Sequence, residues 1–298
     1  MGLLAGVNYD PGTAVAKATS ALLAMTAFDT TNLRLTFTAP SNGSVMVRIC
    51  CNLSGATTMP TILLGVLQSS TVIARQSPVG GLPGTAATTT NITQGALFTV
   101  TGLSGGSNYT WDAAYGVEII LASTNIHYGG PNDATANNAW GGISFEIWST
   151  PNLLGAKMYD PTTAVSKVTT AALAMTALDT TNLRITFTAP ASGKVMVKLR
   201  GVLHGATTYP QILLGVMSGA AIVGRSAPIG ALKTTAVATA QLAVEAQFIV
   251  TGLSGSQTWD AAYGVETLVA STGLKYGGPN NATTNDAFGG FLFEVWSV

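Results

Sequence analysis

The sequence predicts an all-β protein made of two tandem antiparallel sandwiches, and three observations carry that prediction. TWDAAYGVE stands at 110–118 and again, letter for letter, at 258–266. Apolar and polar residues alternate with period two in short runs, the pattern of half-buried strands. Gly, Pro, Asn and Ser interrupt those runs about every 8–15 residues, a spacing suited to a sandwich.

The repeat comes first. With residue i set against i+150, YDPGTAVAKATSALLAMTAFDTTNLRLTFTAP (9–40) matches YDPTTAVSKVTTAALAMTALDTTNLRITFTAP (159–190). GATTMPTILLGV (55–66) matches GATTYPQILLGV (205–216), and FTVTGLSG (98–105) matches FIVTGLSG (248–255). Two residues then drop out, and at i+148 YGGPNDATANNAWGGISFEIW (128–148) meets YGGPNNATTNDAFGGFLFEVW (276–296). The leader is duplicated too, with GLLAG near Met1 opposite NLLGA at 152–156. The reading is two copies, 1–150 and 151–298, with nothing else expected on the chain. Copies of this size are a tandem duplication of a domain and not a solenoid of short repeats.

Within a copy, the segment 13–26 with its Ala and Leu could hold a helical turn. Leu33, Leu35 and Phe37 then alternate with Arg34, Thr36 and Thr38 before Ala39-Pro40 and Gly43 turn the chain. Val45, Val47 and Ile49 alternate with Met46 and Arg48. The run 62–66, Ile-Leu-Leu-Gly-Val, reads as a more buried strand. Phe98 and Val100 lead into Gly102. Trp111, Ala113, Tyr115 and Val117 share one face of the repeated stretch, and Ile143, Phe145 and Ile147 close the copy.

Hydrophobic residues make up 47% of the chain and charged residues 9%, against roughly 25% charged in an average domain. So few charges point to outer faces partly covered by other subunits. A net charge of zero gives neither nucleic acid nor an anionic membrane an electrostatic handle. No apolar run approaches the length of a spanning helix. MGLLAGVNYD lacks the regions of a signal peptide and the myristoylation pattern. The two cysteines, Cys50 and Cys51, face Arg200 and Gly201 in the second copy, so the fold does not require them. They read as reduced thiols of a chain made in a cytosol.

Nine charged pairs recur, among them Arg34/Arg184, Arg48/Lys198, Asp112/Asp260, Glu118/Glu266 and Glu146/Glu294. A doubled active site would use Asp112, Glu118 and Glu146 as acid and base; a structural role would have them fix strand register or pair across an interface. Strand parity puts Asp112 and Glu118 opposite Trp111 and Tyr115, on an outer face near Arg34. His127 lies opposite Lys275 and His204 opposite Ser54, so a nucleophile–histidine arrangement would exist in one copy only. No cysteine–histidine cluster has zinc spacing. The loops PNDATANNA (131–139) and PNNATTNDA (279–287) share no acidic position, which suits αL-tolerant turns better than a calcium site. The reading assigns no catalytic, metal or cofactor residue. Trp111 belongs to the core by parity. Trp148 stands on an outer face, where a subunit-contact anchor or a sugar platform is the choice. The candidate subunit or partner interface is thus Arg34, Glu118, Glu146 and Trp148, with Arg184, Glu266, Glu294 and Trp296.

The copies differ in charge. Residues 1–150 carry four basic and six acidic side chains, net −2; residues 151–298 carry nine and seven, net +2. Two chemically different ends suit a molecule that docks at one end and meets solvent or a neighbour at the other.

FTAPSNGSVMVRI, FTVTGLSG, TWDAAYGVE and GGISFEIW, with their second-copy partners, resemble the jelly-roll modules, similar to trimeric tumour-necrosis-factor-like domains, of tailed-bacteriophage structural proteins. The resemblance covers each copy nearly end to end. It implies a tandem double jelly roll that trimerises through one sheet, on the surface of a virion and without enzymatic activity. Such modules serve as capsid decoration (cement) proteins that clamp the major capsid protein. They also serve as tail-fibre or baseplate adhesins that contact host surface polysaccharide. The expectation is the decoration protein, with the adhesin as alternative.

Overall fold

A computed structural model describes residues 1–18, 21, 23–55, 62–76, 91–117, 126–130, 142–168, 171–205, 212–226, 241–265, 273–278 and 290–298. The chain divides into two compact units, Met1–Pro151 and Asn152–Val298. Both are all-β, and no helix occurs among the described residues.

The strands of the first unit are β1 (Leu3–Tyr9), β2 (Val15–Lys17), β3 (Met25–Ala27), β4 (Arg34–Thr38), β5 (Val45–Gly55), β6 (Ile62–Gln68), β7 (Thr71–Gln76), β8 (Asn91–Val100), β9 (Asn108–Val117), β10 (Ile126–Tyr128) and β11 (Ile143–Ser149). One sheet runs β1–β11–β5–β8, with β10 and β2 continuing it past the end of β11. The other places β3 and β4 against β9, then β6, then β7. All pairings are antiparallel. Long strands that follow each other in sequence mostly lie in opposite sheets, which is the jelly-roll arrangement of two packed sheets.

The second unit repeats this with β12 (Leu153–Tyr159), β13 (Val165–Val168), β14 (Met175–Ala177), β15 (Arg184–Thr188), β16 (Val195–Gly205), β17 (Ile212–Ser218), β18 (Ala221–Ser226), β19 (Gln241–Val250), β20 (Ser256–Val265), β21 (Gly273–Tyr276) and β22 (Phe291–Ser297). Its sheets are β12–β22–β16–β19, extended by β21 and β13, and β14/β15–β20–β17–β18.

The core lies between the sheets, where alternate residues of facing strands meet. In the first unit Leu35, Phe37, Val47, Ile49, Phe98, Trp111, Tyr115, Phe145 and Ile147 are all buried. Aromatic rings set its centre: Phe28 packs 5.1 Å from Tyr115 and edge-on to Tyr128 at 5.6 Å, and Phe37 meets Trp111 edge-on at 4.8 Å. The second unit keeps the Phe187–Trp259 contact at 4.9 Å and puts Leu178 where Phe28 stands.

Why TWDAAYGVE recurs is visible in β9. Trp111, Ala113, Tyr115 and Val117 face the core, yet Asp112, Ala114 and Gly116 on the reverse face are buried as well. The chain at 24–25 crosses that reverse face. A Cβ on Gly116 would stand 2.9 Å from the Ala24 carbonyl oxygen and 2.7 Å from Met25 Sδ. On Gly264 it would stand 2.6 Å from the Ala174 oxygen. In the second unit Met175, Leu213, Met217 and Ala262 form a small apolar cluster there. The run at 62–66 reads as continuously apolar for this reason: β6 is buried on both faces from Ile62 to Leu67.

Other repeated motifs recur because they meet in space. Gly43, in the left-handed region at φ 64°, donates to the Pro40 carbonyl and accepts from the Leu103 amide. FTAPSNG and VTGLSG therefore form one corner, and Gly193, Pro190 and Leu253 repeat it. Likewise the Gly130 amide donates to the Pro11 carbonyl at 2.7 Å, joining YDP to YGGP, as Gly278 joins Pro161.

Three expectations need correction. The segment 13–26 holds no helical turn among its described residues; β2 and β3 occupy it, because pairing with β10 and β9 outweighs the helix propensity of Ala and Leu. Leader residues 3–9, to which the sequence reading assigns no strand, form β1. As an edge strand with a register shift between Leu3 and Ala5, β1 blurs the alternation a reader looks for. The short β10 is missed for the same lack of a sustained pattern.

Two stability changes follow. Gly116→Ala and Gly264→Ala each force a Cβ onto backbone and should cost their unit about 1–3 kcal/mol in denaturant unfolding. Trp111 Nε1 donates to Gln68 Oε1 at 3.2 Å, whereas Trp259 Nε1 is buried with no partner among the described residues and Ser218 stands at the matching place. Ser218→Gln should raise the second unit's stability by about 1 kcal/mol, read in the same titration.

Candidate functional site

Arg34 and Asp112 sit opposite each other on β4 and β9, and Arg184 and Asp260 on β15 and β20. The guanidinium grips the carboxylate with two bonds in each unit, Nε to Oδ1 at 2.7 Å and Nη2 to Oδ2 at 2.9 Å in the first and 2.8 Å in the second. The arginine side chains are 43% exposed and the aspartates 2–3%. The hydrogen bond to its aspartate, and then the charge, raise each arginine's pKa. Beside these pairs Thr36 meets Thr110 at 2.9 Å and Thr186 meets Thr258 at 3.0 Å, so the outer face here is a closed polar ladder. Asp112 does leave the core, yet it is buried beneath its arginine and takes no exposed place. Arg34 and Arg184 hold strands together. Glu118 and Glu266 lie outside the described residues.

The outer face of the other sheet carries a different group. Glu146 on β11 is opposite Arg48 on β5 and Gly6 on β1. Its Oε2 accepts from Trp148 Nε1 at 2.9 Å, and Arg48 Nη1 reaches both carboxylate oxygens at 3.3 Å. Ser144 Oγ donates to Oε1 at 3.4 Å. The neighbouring Cys50, first, and Glu146, next, both favour the charged form of Arg48. Half of the Arg48 side chain is exposed and Trp148 is half-buried. Such an exposed ion pair contributes about 0–1 kcal/mol to stability, so its effect is to present an indole edge, a guanidinium and a carboxylate together.

The second unit keeps the motif with Lys for Arg. Trp296 Nε1 donates to Glu294 Oε2 at 3.1 Å, and Lys198 Nζ lies 5.6 Å from the Trp296 ring centroid. Here Glu294 and Trp296 are buried, Trp296 among Leu153, Ala156 and Met196. Parity leads one to expect both tryptophans to stand open; Trp296 does not. Arg48 and Lys198 recur in the sequence but are not among the expected interface residues, although they lie opposite Glu146 and Glu294 on the same face. Their recurrence opposite Glu146 and Glu294 is the signal that could have found them. Arg75 and Arg225, another of the nine recurring pairs, donate to the carbonyls of Leu23 and Leu173, residues held at φ 59° and 62°.

Away from these clusters, burial shifts several titratable groups. Cys51 is in the core, where burial pushes its thiol far above the ordinary range. Burial raises the Tyr115 and Tyr263 phenols to about 12. Burial lowers His127, and its Nδ1 has no partner among the described residues; the side chain of His204 lies outside them. No cluster of three or more His, Cys, Asp or Glu suited to a metal occurs among the described residues. The loops 131–139 and 279–287 fall outside them.

No protein-family model matches the chain, and no curated protein matches it. Among solved structures it is similar to PNGase F, a glycosylasparaginase from Flavobacterium meningosepticum, at 12% identity and TM-score 0.41, over 98% of this chain and 96% of that one. It is similar to the tandem CBM22 domains of Paenibacillus barcinonensis Xyn10C at 12% and 0.21, over 99% and 98%. The VP2 subviral particle of infectious bursal disease virus is matched at 8% and 0.27, over 100% and 80%. With every TM-score below 0.5, these likenesses carry no argument about what the chain does.

Asp29 and Asp179 give the chain an acid response. Burial works to raise each carboxyl, but hydrogen bonds from Asn32 and Thr31, or Asn182 and Thr181, outweigh it and hold the pKa below the usual range. The folded carboxyl therefore binds its proton more weakly than the unfolded one. This stability is complete above about pH 4 and is lost as pH falls through the folded pKa. Unfolding titrations from pH 6 to pH 2 should show that loss, and Asp29→Asn with Asp179→Asn should flatten it.

Proposed function

We propose that this chain is a non-enzymatic structural protein of a virion, a capsid decoration (cement) protein on a tailed-phage head. It assembles as a homotrimer and bridges major capsid proteins after synthesis in the host cytoplasm. The observation that carries the reading is how the repeated charges are used. Asp112 and Asp260, one of the three repeated pairs of acids a doubled reaction centre would use, are each enclosed by an arginine across the strand pair. The repeated Trp and Glu stand instead on the outer face of a sheet, and indoles are the usual anchors of protein contacts. The jelly-roll strand order agrees with the modules that the sequence resembles.

Burial is the mechanism. Shared apolar sheet area gives a trimer that unfolds slowly, and each docked trimer stabilises the shell by mass action. A second reading, an adhesin of a tail fibre or baseplate, draws on the half-buried Trp148 ring, on whose open part a sugar could stack.

Mixing the purified chain with expanded empty capsids tests the proposal. Binding with a raised capsid melting temperature is expected; absence of binding rejects it. Binding to host polysaccharide that Trp148→Ala abolishes, without capsid binding, would establish the adhesin.

A further inference from the structure

The two units carry the same row of residues across the outer face of the β11- or β22-containing sheet, but they leave opposite ends of it open. In the first unit the row is Leu3, Trp148, Met46 and Thr99, on β1, β11, β5 and β8. In the second it is Leu153, Trp296, Met196 and Ile249. Leu3 is 54% exposed and Leu153 only 7%; at the other end Thr99 is 4% exposed and Ile249 63%. The polarity is inverted at the last position: the hydroxyl is buried and the larger apolar side chain faces solvent. Leu3 lies flat on its sheet, since a Cβ on Gly6 would stand 3.6 Å from its methyl carbons and 3.8 Å from Glu146 Cγ. The first unit thus offers an open apolar seat, Leu3 beside the half-buried Trp148, and the second an open apolar edge at Ile249.

We propose that these surfaces pair between copies of this chain, the Ile249 edge of one molecule docking on the Leu3–Trp148 seat of the next. Net charge fits the pairing, the seat belonging to the unit at −2 and the edge to the unit at +2. Lys194, exposed at the foot of the edge next to the Val195–Val250 pair, replaces Ser44 of the first copy. Such a contact uses two different patches, so it is heterologous and propagates head to tail until rotation closes it. The inference rests on the trimer reading, where closure comes at three, and adds which surface of each chain meets which.

Sedimentation velocity of the full chain, with circular dichroism as the check on folding, tests it. Ile249→Asp and Leu3→Asp alter exposed side chains and should each turn the trimer into a monomer. Mixed in equal amounts, the two variants should form a dimer and nothing larger, because one intact seat and one intact edge remain between them. Trimers that persist in either variant, or a mixture that stays monomeric, overturn the pairing and leave the trimer standing. A monomeric parent chain overturns both. If an aspartate unfolds the chain, Ile249→Thr, the residue of the first copy, serves in its place. It should raise the trimer dissociation constant about tenfold or more, as losing one or two buried methylenes does; an unchanged constant overturns the pairing.

Discussion

Strand β9, and β20 after it, is buried on both faces, and the rest of each unit is arranged around that constraint. A strand in a two-layer sandwich ordinarily packs one face inward and leaves the other wet. Here Trp111 and Tyr115 fill the inner side, while the 24–25 segment and the Arg34 guanidinium close the outer side. The outer residues must therefore be small, Ala114 and Gly116, or charged and satisfied, Asp112. A buried carboxylate without its arginine would carry the full cost of desolvation. That leaves almost no freedom along the strand, and this explains why its letters are the same in both copies.

The same logic separates what the copies share from what they vary. Motifs that touch one another, FTAPSNG with VTGLSG and YDP with YGGP, are tied by backbone hydrogen bonds and recur together. Core rings recur where the space is fixed, and the exchange of Phe28 for Leu178 shows how little slack remains, since Tyr115 and Tyr128 recur as Tyr263 and Tyr276 beside it. On the outer face of the β5 and β16 sheets Met46, Glu146 and Trp148 recur as Met196, Glu294 and Trp296, while other positions diverge. Cys50 becomes Arg200, Ser144 becomes Leu292 and Thr99 becomes Ile249. These exchanges leave the strand pairing of the sheet unchanged.

Much of each unit is legible in its letters alone. Period-two alternation locates β4, β5, β8, β9 and β11, because alternate positions of each turn apolar side chains to the core and that pattern is written into the letters. It fails at β1, an edge strand with a bulge whose residues are at most half-buried, and at β10, whose three residues are too few to show a period although Ile126 and Tyr128 are buried. Parity locates Asp112 near Arg34, since strand geometry alone fixes which residues share a face.

The sequence by itself determined that there are two copies, that they are built of strands, and which face of each regular strand is apolar. These properties follow from local periodicity and internal repetition. Only the tertiary structure decided that Asp112 is buried and Trp148 half-open while Trp296 is closed. It alone showed that Leu3 and Ile249, ordinary letters 246 positions apart, are the exposed ends of one repeated row. Exposure is a property of what packs over a residue, and that neighbour is supplied by distant chain that no local pattern can name.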